Sequence, residues 1–277
     1  MHAEQPIAVF DSGLGGLTVV AEMIAALPNE KILYFGDTAR CPYGDRTPQE
    51  VLEFSLQIAD FLLEQQVKLL VVACNTATAV ALPDLIERSP IPVIGVIQPG
   101  ARAAVNRANA RRKRIGVIGT AVTIASGAYA DAIHSFDPDV DVVSLACPRF
   151  VPLVESGRCD GPEVEQVVRE SLMPLLMYDI DALILGCTHY PLLAGPIGRV
   201  AGPEVQLISS AAETAKEVFR VLDEKKLFRT EETLPRHCFY TTGNGVRMRV
   251  ALEGWLGLHR EELDLRIVEP ELLHVRS

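Results

Sequence analysis

The sequence has no pair of cysteines at C-x-x-C spacing. Its six cysteines (Cys41, Cys74, Cys147, Cys159, Cys187, Cys238) are scattered, which removes a structural zinc site and a disulfide framework from consideration. In a reducing compartment they stay thiols. No apolar run approaches the length needed to span a bilayer. Positive charge is scarce: 26 basic residues face 36 acidic ones, a net charge of -10, and neither nucleic acid nor an anionic membrane is expected as a partner. The longest basic run, Arg111 to Arg114, reads as a solvated strand start or helix end. The opening MHAEQPIAVFD turns into a strand pattern within a few residues, leaving no room for a signal or transit peptide, so a cytoplasmic location is expected.

What is present is a globular composition, 277 residues with 48% hydrophobic, enough for two ordinary domains. Strand-like apolar runs occur at Ile7–Phe10, Ile32–Phe35, Leu69–Ala73, Val93–Val96, Ile115–Ile118, Val140–Leu145, Ala182–Leu185, Val205–Ile208, Cys238–Thr241 and Leu265–Val268. Helical patterns lie between most of them, and this alternation predicts an α/β fold with parallel sheets covered by helices on both faces. Thr47, Pro48, Gln49 and Glu50 form a capping box that starts a helix running to about Gln65. Asp11 to Cys74 spans 63 residues and Thr120 to Cys187 spans 67, a spacing that fits two similar modules. Crossings are expected at Ile97–Gly100, where Pro99 and Gly100 punctuate the chain, and near Ser209–Ser210. The domains are then 1–97 plus 210–277, and 98–209.

Two stretches carry the chemistry. LLVVACNTATAV (69–80) is an apolar β-branched run that ends in Cys74, Asn75 and Thr76, and DALILGCTHYPL (181–192) repeats the design with Cys187, Thr188 and His189. In an open α/β sheet a polar group just past a strand's C-terminal end lies in the ligand crevice, at the start of the next helix. Cysteines there sit in the positive field of helix amides, which lowers a thiol's pKa. Either alone is better read as a small buried apolar residue; the doubled pattern reverses that. Two groups of matched pKa on opposite faces of a carbon can remove a proton from one side and deliver another from the other, inverting the centre.

Other motifs are read beside their plainer alternatives. DSGLGG (11–16) follows a strand and opens a helix, yet Thr18 stands where a dinucleotide fingerprint needs glycine, and a P-loop's Lys-Ser or Lys-Thr is missing. The loop is expected to let Gly13–Gly16 amides hold a carboxylate, with Asp11 facing the substrate's ammonium, or else to be a plain tight turn. In GDTARCPYG (36–44), Tyr43 and Gly44 are placed to close over a ligand, and Cys41 is equally well inert. Cys187 and His189 would suit a metal or a Cys-His nucleophile pair, but no third ligand stands at zinc-site spacing, so no metal is expected. His189 is instead given the task of tuning charge at Cys187. A pyridoxal enzyme needs a Schiff-base lysine. None of the six lysines ends a strand, and Lys68 precedes its strand and faces away, so no cofactor is expected.

DSGLGG, GDTARCPYG, ACNTATA, GVIGTAVTIASGAY, VPLVESG and LGCTHYPLL together resemble the motifs of the glutamate racemases, cofactor-independent bacterial enzymes that make D-glutamate for peptidoglycan; the match covers the whole chain. The resemblance implies two α/β domains with the active site between them, Cys74 and Cys187 as the two bases, and Asp11 and His189 as their supports. Ser12, Tyr43, Gly44, Asn75, Thr76 and Thr188 match positions that bind the substrate's amino and carboxylate groups; Thr120 and Thr123 match a further pair lining the site, and Glu155 falls at a polar position near it. The small-molecule partner implied is glutamate, and a homodimer is expected. TTGNGVRM matches the family only loosely. Related aspartate racemases carry a glutamate after the second Cys-Thr and a histidine after the first cysteine, where this chain has His189 and Thr78. A related racemase or decarboxylase, and a non-catalytic bilobal amino-acid receptor, are the alternatives. Activity without a cell-wall nucleotide activator is expected.

Overall fold

Short strands that are apolar on both faces can be buried only if helices cover each side of the sheet, and the chain alternates accordingly. The computed structural model describes residues 2–108, 113–258 and 264–275. The first six elements are β1 (Ile7–Asp11), α1 (Leu17–Ala26), β2 (Ile32–Gly36), α2 (Pro48–Glu64), β3 (Leu69–Val72) and α3 (Asn75–Arg88). Then come β4 (Val93–Gly95), α4 (Ile97–Arg107), β5 (Arg114–Gly119), α5 (Ala121–Ala125), α6 (Ala128–Phe136), β6 (Asp141–Ala146), α7 (Phe150–Glu155) and α8 (Pro162–Leu176). The chain finishes with β7 (Ala182–Gly186), α9 (Ala194–Ala201), β8 (Gln206–Ser209), α10 (Ser210–Lys225), β9 (Cys238–Thr241), α11 (Gly245–Leu256) and β10 (Asp264–Ile267).

The strands form two parallel sheets, so the chain has two α/β domains. The first sheet has the order β10-β9-β2-β1-β3-β4 and the second β6-β5-β7-β8. Four adjacent strands of the first sheet, 2-1-3-4, running to its β4 edge, have the same plan as the whole second sheet, 6-5-7-8. In each, the strand order reverses beside the first strand of its unit, and that reversal opens a crevice at the strands' C-terminal ends. Asp11 and Cys74 flank the first crevice, Thr120 and Cys187 the second. The 63- and 67-residue spacings thus mark the same place in two copies of one topology.

Each sheet is packed on both sides. Ile7 and Val9 face α1, α10 and α11 through Leu17, Met23, Val218 and Leu252, while Ala8 and Phe10 face α2 and α3 through Ile58, Leu62 and Ala81. In the second sheet Ile115 and Val117 meet α4 and α6 through Ala101, Ala104 and Ile133, and Ile118 and Leu185 meet α8 and α9 through Val168, Leu172 and Ile197. Each fully buried Val, Leu or Ile contributes about 1.5–3 kcal/mol relative to exposure. That rigidly fixed scaffold holds the loops at the strand ends.

The capping box closes as expected: Glu50 N–H donates to Thr47 Oγ1 at 3.2 Å, and Thr47 N–H donates to Glu50 Oε2 at 2.9 Å. Ile97–Gly100 lies between β4 of the first sheet and β5 of the second. It forms the first turn of α4, where proline is tolerated because its missing N–H would have no helical partner. Arg111 and Arg112 lie outside the described residues, whereas Arg114 opens β5. Lys68 is buried at the N-terminal end of β3, paired with Glu30 at 2.6 Å and donating to Leu227 O at 2.8 Å, far from the crevices.

Candidate active site

Asp11 closes β1 and is fully buried. Its carboxylate turns back on the glycine loop, accepting from Gly13 N–H at 3.0 Å and from Gly16 N–H. These amides were expected to hold a ligand's carboxylate; two of them, from Gly13 and Gly16, are taken by Asp11. The glycines allow close packing against the protein itself, since a Cβ on Gly15 would fall 2.6 Å from His189 Nδ1 and one on Gly16 2.9 Å from the Tyr34 hydroxyl. Burial raises the Asp11 carboxyl above its ordinary range, against the opposing pull of His189 and of these amides.

Cys74 stands two residues past β3 at the N-cap of α3, 5% exposed, with its Sγ accepting from Ala77 N–H at 3.4 Å. Helix amides alone would lower this thiol. They act in that direction, as does the Ser12 hydroxyl bonded to it, but burial together with the neighbouring Asp11 outweighs them and pushes the thiol up to about 12.

Cys187, past β7, is 6% exposed and has its Sγ 3.8 Å from His189 Nδ1. The far side of the imidazole, Nε2, lies 2.7 Å from Glu155 Oε1 at the end of α7. Burial disfavours a charged His189, yet the hydrogen bonds to Cys187 and Glu155 prevail and carry it up to about 10. Glu155 is lowered in turn, first by His189. Its other oxygen accepts from Arg247 of α11 at 2.8 Å. Arg247 was not among the expected site residues: it comes from the loosely matching TTGNGVRM stretch, on an element of the other domain, and no local spacing marks it.

Cross-domain contacts join these halves. Thr188 Oγ1 donates to Asp11 Oδ1 at 3.2 Å, and Thr18 Oγ1 to Thr188 O at 3.1 Å. The hydroxyls of Thr76, Thr120 and Thr123 form a triangle with sides of 2.9, 3.1 and 2.9 Å. A Cβ on Gly44 would lie 2.7 Å from Thr120 Cβ, so only glycine fits there. Tyr43 is placed otherwise than expected: its ring is fully buried and its hydroxyl donates to Asp37, which also accepts from Arg40 Nε at 2.7 Å and from Thr242 Oγ1 at 2.7 Å. Its side chain anchors the loop. A cavity of about 560 Å³, lined by Gly13, Cys41, Pro42, Glu155, Asn244 and Arg247 among others, opens beside this cluster. Neither Cys74 nor Cys187 lines it. Among the described residues no group of three or more His, Cys, Asp or Glu side chains is placed to hold a metal ion.

Two parallel α/β units that present matched thiols and partner acids at their crevices are the plan of a two-domain racemase. The profile of the Asp/Glu/Hydantoin racemase family matches residues 11–218, and the chain belongs to that family. Within it, the chain is 54% identical over 250 residues to the glutamate racemase of Exiguobacterium sibiricum, covering 90% of this chain and 92% of that one. It is 48% identical over 271 residues to the glutamate racemase of Bacillus cereus, covering 98% and 100%. The crystal structure of glutamate racemase isoform RacE1 from Bacillus anthracis superposes with a TM-score of 0.92 at 46% identity, over 97% of this chain and 98% of the other. That of the Francisella tularensis glutamate racemase in complex with D-glutamate gives 0.89 at 39% identity, over 97% and 99%.

Proposed function

We propose that this chain interconverts L- and D-glutamate by a two-base mechanism in which Cys74 and Cys187 act on opposite faces of the α-carbon. The observation that carries the reading is the meeting, across two sheets, of two buried thiols with unlike partners: Cys74 beside Asp11, and Cys187 beside His189. Cys74, raised to about 12, is a thiol at neutral pH. His189, raised to about 10, sets an imidazolium 3.8 Å from Cys187 Sγ, where it stabilises negative charge on that sulfur. The pair therefore sets a protonated thiol on one side and a sulfur beside an imidazolium on the other.

In the forward step the Cys187 thiolate takes the α-proton, forming S–H as C–H breaks, and the electron pair spreads into the substrate's carboxylate. The Cys74 S–H then gives its proton to the opposite face, forming the new C–H and leaving a thiolate. The two cysteines have exchanged states, and the other enantiomer runs the step in reverse. Low exposure of both sulfurs keeps bulk water from quenching the carbanion. Asp11 is the base-side partner for Cys74 and holds Thr188 in register. Ser12, Asn75, Thr76, Thr120, Thr123 and Thr188 supply the uncharged donors and acceptors around the substrate.

The reading extends to supply of D-glutamate for peptidoglycan, supported by the resemblance and by the bacterial source of the two glutamate racemases compared above. A circular-dichroism assay of the purified protein tests the activity: L-glutamate should lose its signal and L-aspartate should not. Racemisation of aspartate in preference to glutamate would replace the substrate assignment, and binding without loss of optical activity would replace the enzyme with a receptor.

A further inference from the structure

We infer that Tyr129 is a positioning residue that aims the Asn75 amide at the substrate's carboxylate, an inference that rests on the racemase reading. Asn75 directly follows Cys74 and is buried. Its Oδ1 accepts from the Tyr129 hydroxyl at 2.6 Å, while its Nδ2 is buried with no partner. A buried amide donor is costly to leave unpaired, so an open one at the edge of a site marks where an acceptor belongs. Nδ2 can donate to a carboxylate oxygen but offers nothing to an ammonium, which is itself only a donor.

The direction of the hydrogen bonds decides which end of the amide is open. The Tyr129 phenol donates its proton to Asn75 Oδ1, and Ser210 stands with the ring around Gly100. Asn75 must then present its oxygen to Tyr129 and its nitrogen to the site. The tyrosine itself is wedged in place: a Cβ on Gly186 would come 2.9 Å from its ring, and one on Gly100 3.7 Å. Gly100 lies in the first turn of α4 and Ser210 begins α10, and these are the segments that join the two sheets. A Cβ on Gly100 would also stand 3.2 Å from Ser210 Cβ, so both connections meet at this ring. Through Tyr129 the second domain sets the rotamer of a side chain in the first, and the donor is aimed only when the two sheets are seated on their connections.

Tyr129→Phe keeps the ring and removes only the donated proton. The KM for glutamate should rise about tenfold in both directions, the effect of one lost hydrogen bond to a group that binds a carboxylate, with kcat within about threefold of wild type. Asn75→Ala should raise KM at least as much, and the combined variant should be no worse than Asn75→Ala alone, because Tyr129 has nothing left to aim. Ser210→Ala, a milder change, should raise KM about twofold with the same split. Calorimetric titration with D-glutamate should show the same loss of affinity for Tyr129→Phe, and this arm reads the inference even if the wild-type protein fails to racemise glutamate, the result that would remove the reading on which it rests. An unchanged KM in Tyr129→Phe, effects of the two substitutions that multiply, or a fall in kcat and melting temperature together at constant KM would each overturn the inference.

Discussion

The two halves of the site use the same strand-end cysteine in opposite electrostatic settings. Past β3, Cys74 has a carboxyl and a hydroxyl for neighbours, is closed from solvent, and keeps its proton up to about pH 12. Past β7, Cys187 faces an imidazole that a second carboxylate holds charged up to about pH 10. Equal topology sets where the sulfurs stand; unequal partners set the charge around each. The proposed two-base mechanism needs both, since in it the two thiols are in different states at each turnover and trade them during it.

The largest test of this contrast is removal of either sulfur. Cys74→Ala and Cys187→Ala should each lower racemisation about a thousandfold or more, the scale at which a positioned acid or base acts. Near wild-type turnover in either would end the two-base assignment. In deuterium oxide the wild-type enzyme should give early product fully deuterated at the α-carbon while unreacted substrate retains protium, as sampled by mass spectrometry; early protium in the product would favour one base serving both faces.

Next come the partners. Asp11→Asn and His189→Asn should each lower kcat about 10- to 1000-fold with KM changed no more than a few-fold, because the groups act on proton transfer. Glutamate enantiomers have equal free energy in water, so kcat/KM must fall equally in both directions. The asymmetry should appear in the isotope effect with α-deuterated substrate, enlarged in opposite directions by the two variants. The same direction for both would mean that Asp11 and His189 do not serve separate sulfurs.

Glu155→Gln should have a smaller effect, about three- to tenfold in kcat, through weaker support of the imidazolium. Its pH signature is specific. The pKa of His189 rises from 6.5 to about 10 on folding, so the stability this charge contributes is complete below about pH 6.5 and is lost as pH rises through about 10. Glu155, itself lowered, stays ionised across that window. The melting-temperature deficit of Glu155→Gln should therefore be larger at pH 6 than at pH 10, and a deficit independent of pH would disconnect Glu155 from His189. Arg247→Ala should do least: its side chain is 59% exposed, an ion pair of that kind is worth at most about 1 kcal/mol, and a change in kcat above about threefold would give Arg247 a larger part than geometry assigns.

Much of this was legible in the chain. Apolar runs located all ten strands of the described residues to within about one residue; the inner ones are buried on both faces and must be continuously apolar whatever packs on them, while β6, β8 and β10 at or near sheet edges are partly exposed. The capping box started α2 at Pro48 because its hydrogen bonds are local. Cys74 and Cys187 could be singled out because a strand's C-terminal end is a fixed place in any parallel sheet. Pro99 and Gly100 did not reveal that α4 begins there, since proline and glycine punctuate a chain equally well as a turn or as the first turn of a helix.

The tertiary structure alone decided what each group does there. Asp11 turning its carboxylate onto Gly13 and Gly16, Tyr43 turning its hydroxyl away to Asp37, and Glu155 linking His189 to Arg247 all depend on partners that no periodicity brings together. Cys74's high pKa comes from burial, a property of the assembled fold, which overrode the helix-amide field visible in the sequence. Residue type and strand position are local and were written in the chain; protonation state and hydrogen-bond direction depend on what surrounds a group in three dimensions, and they came into being only when two sheets, joined at Gly100 and Ser210, closed on each other.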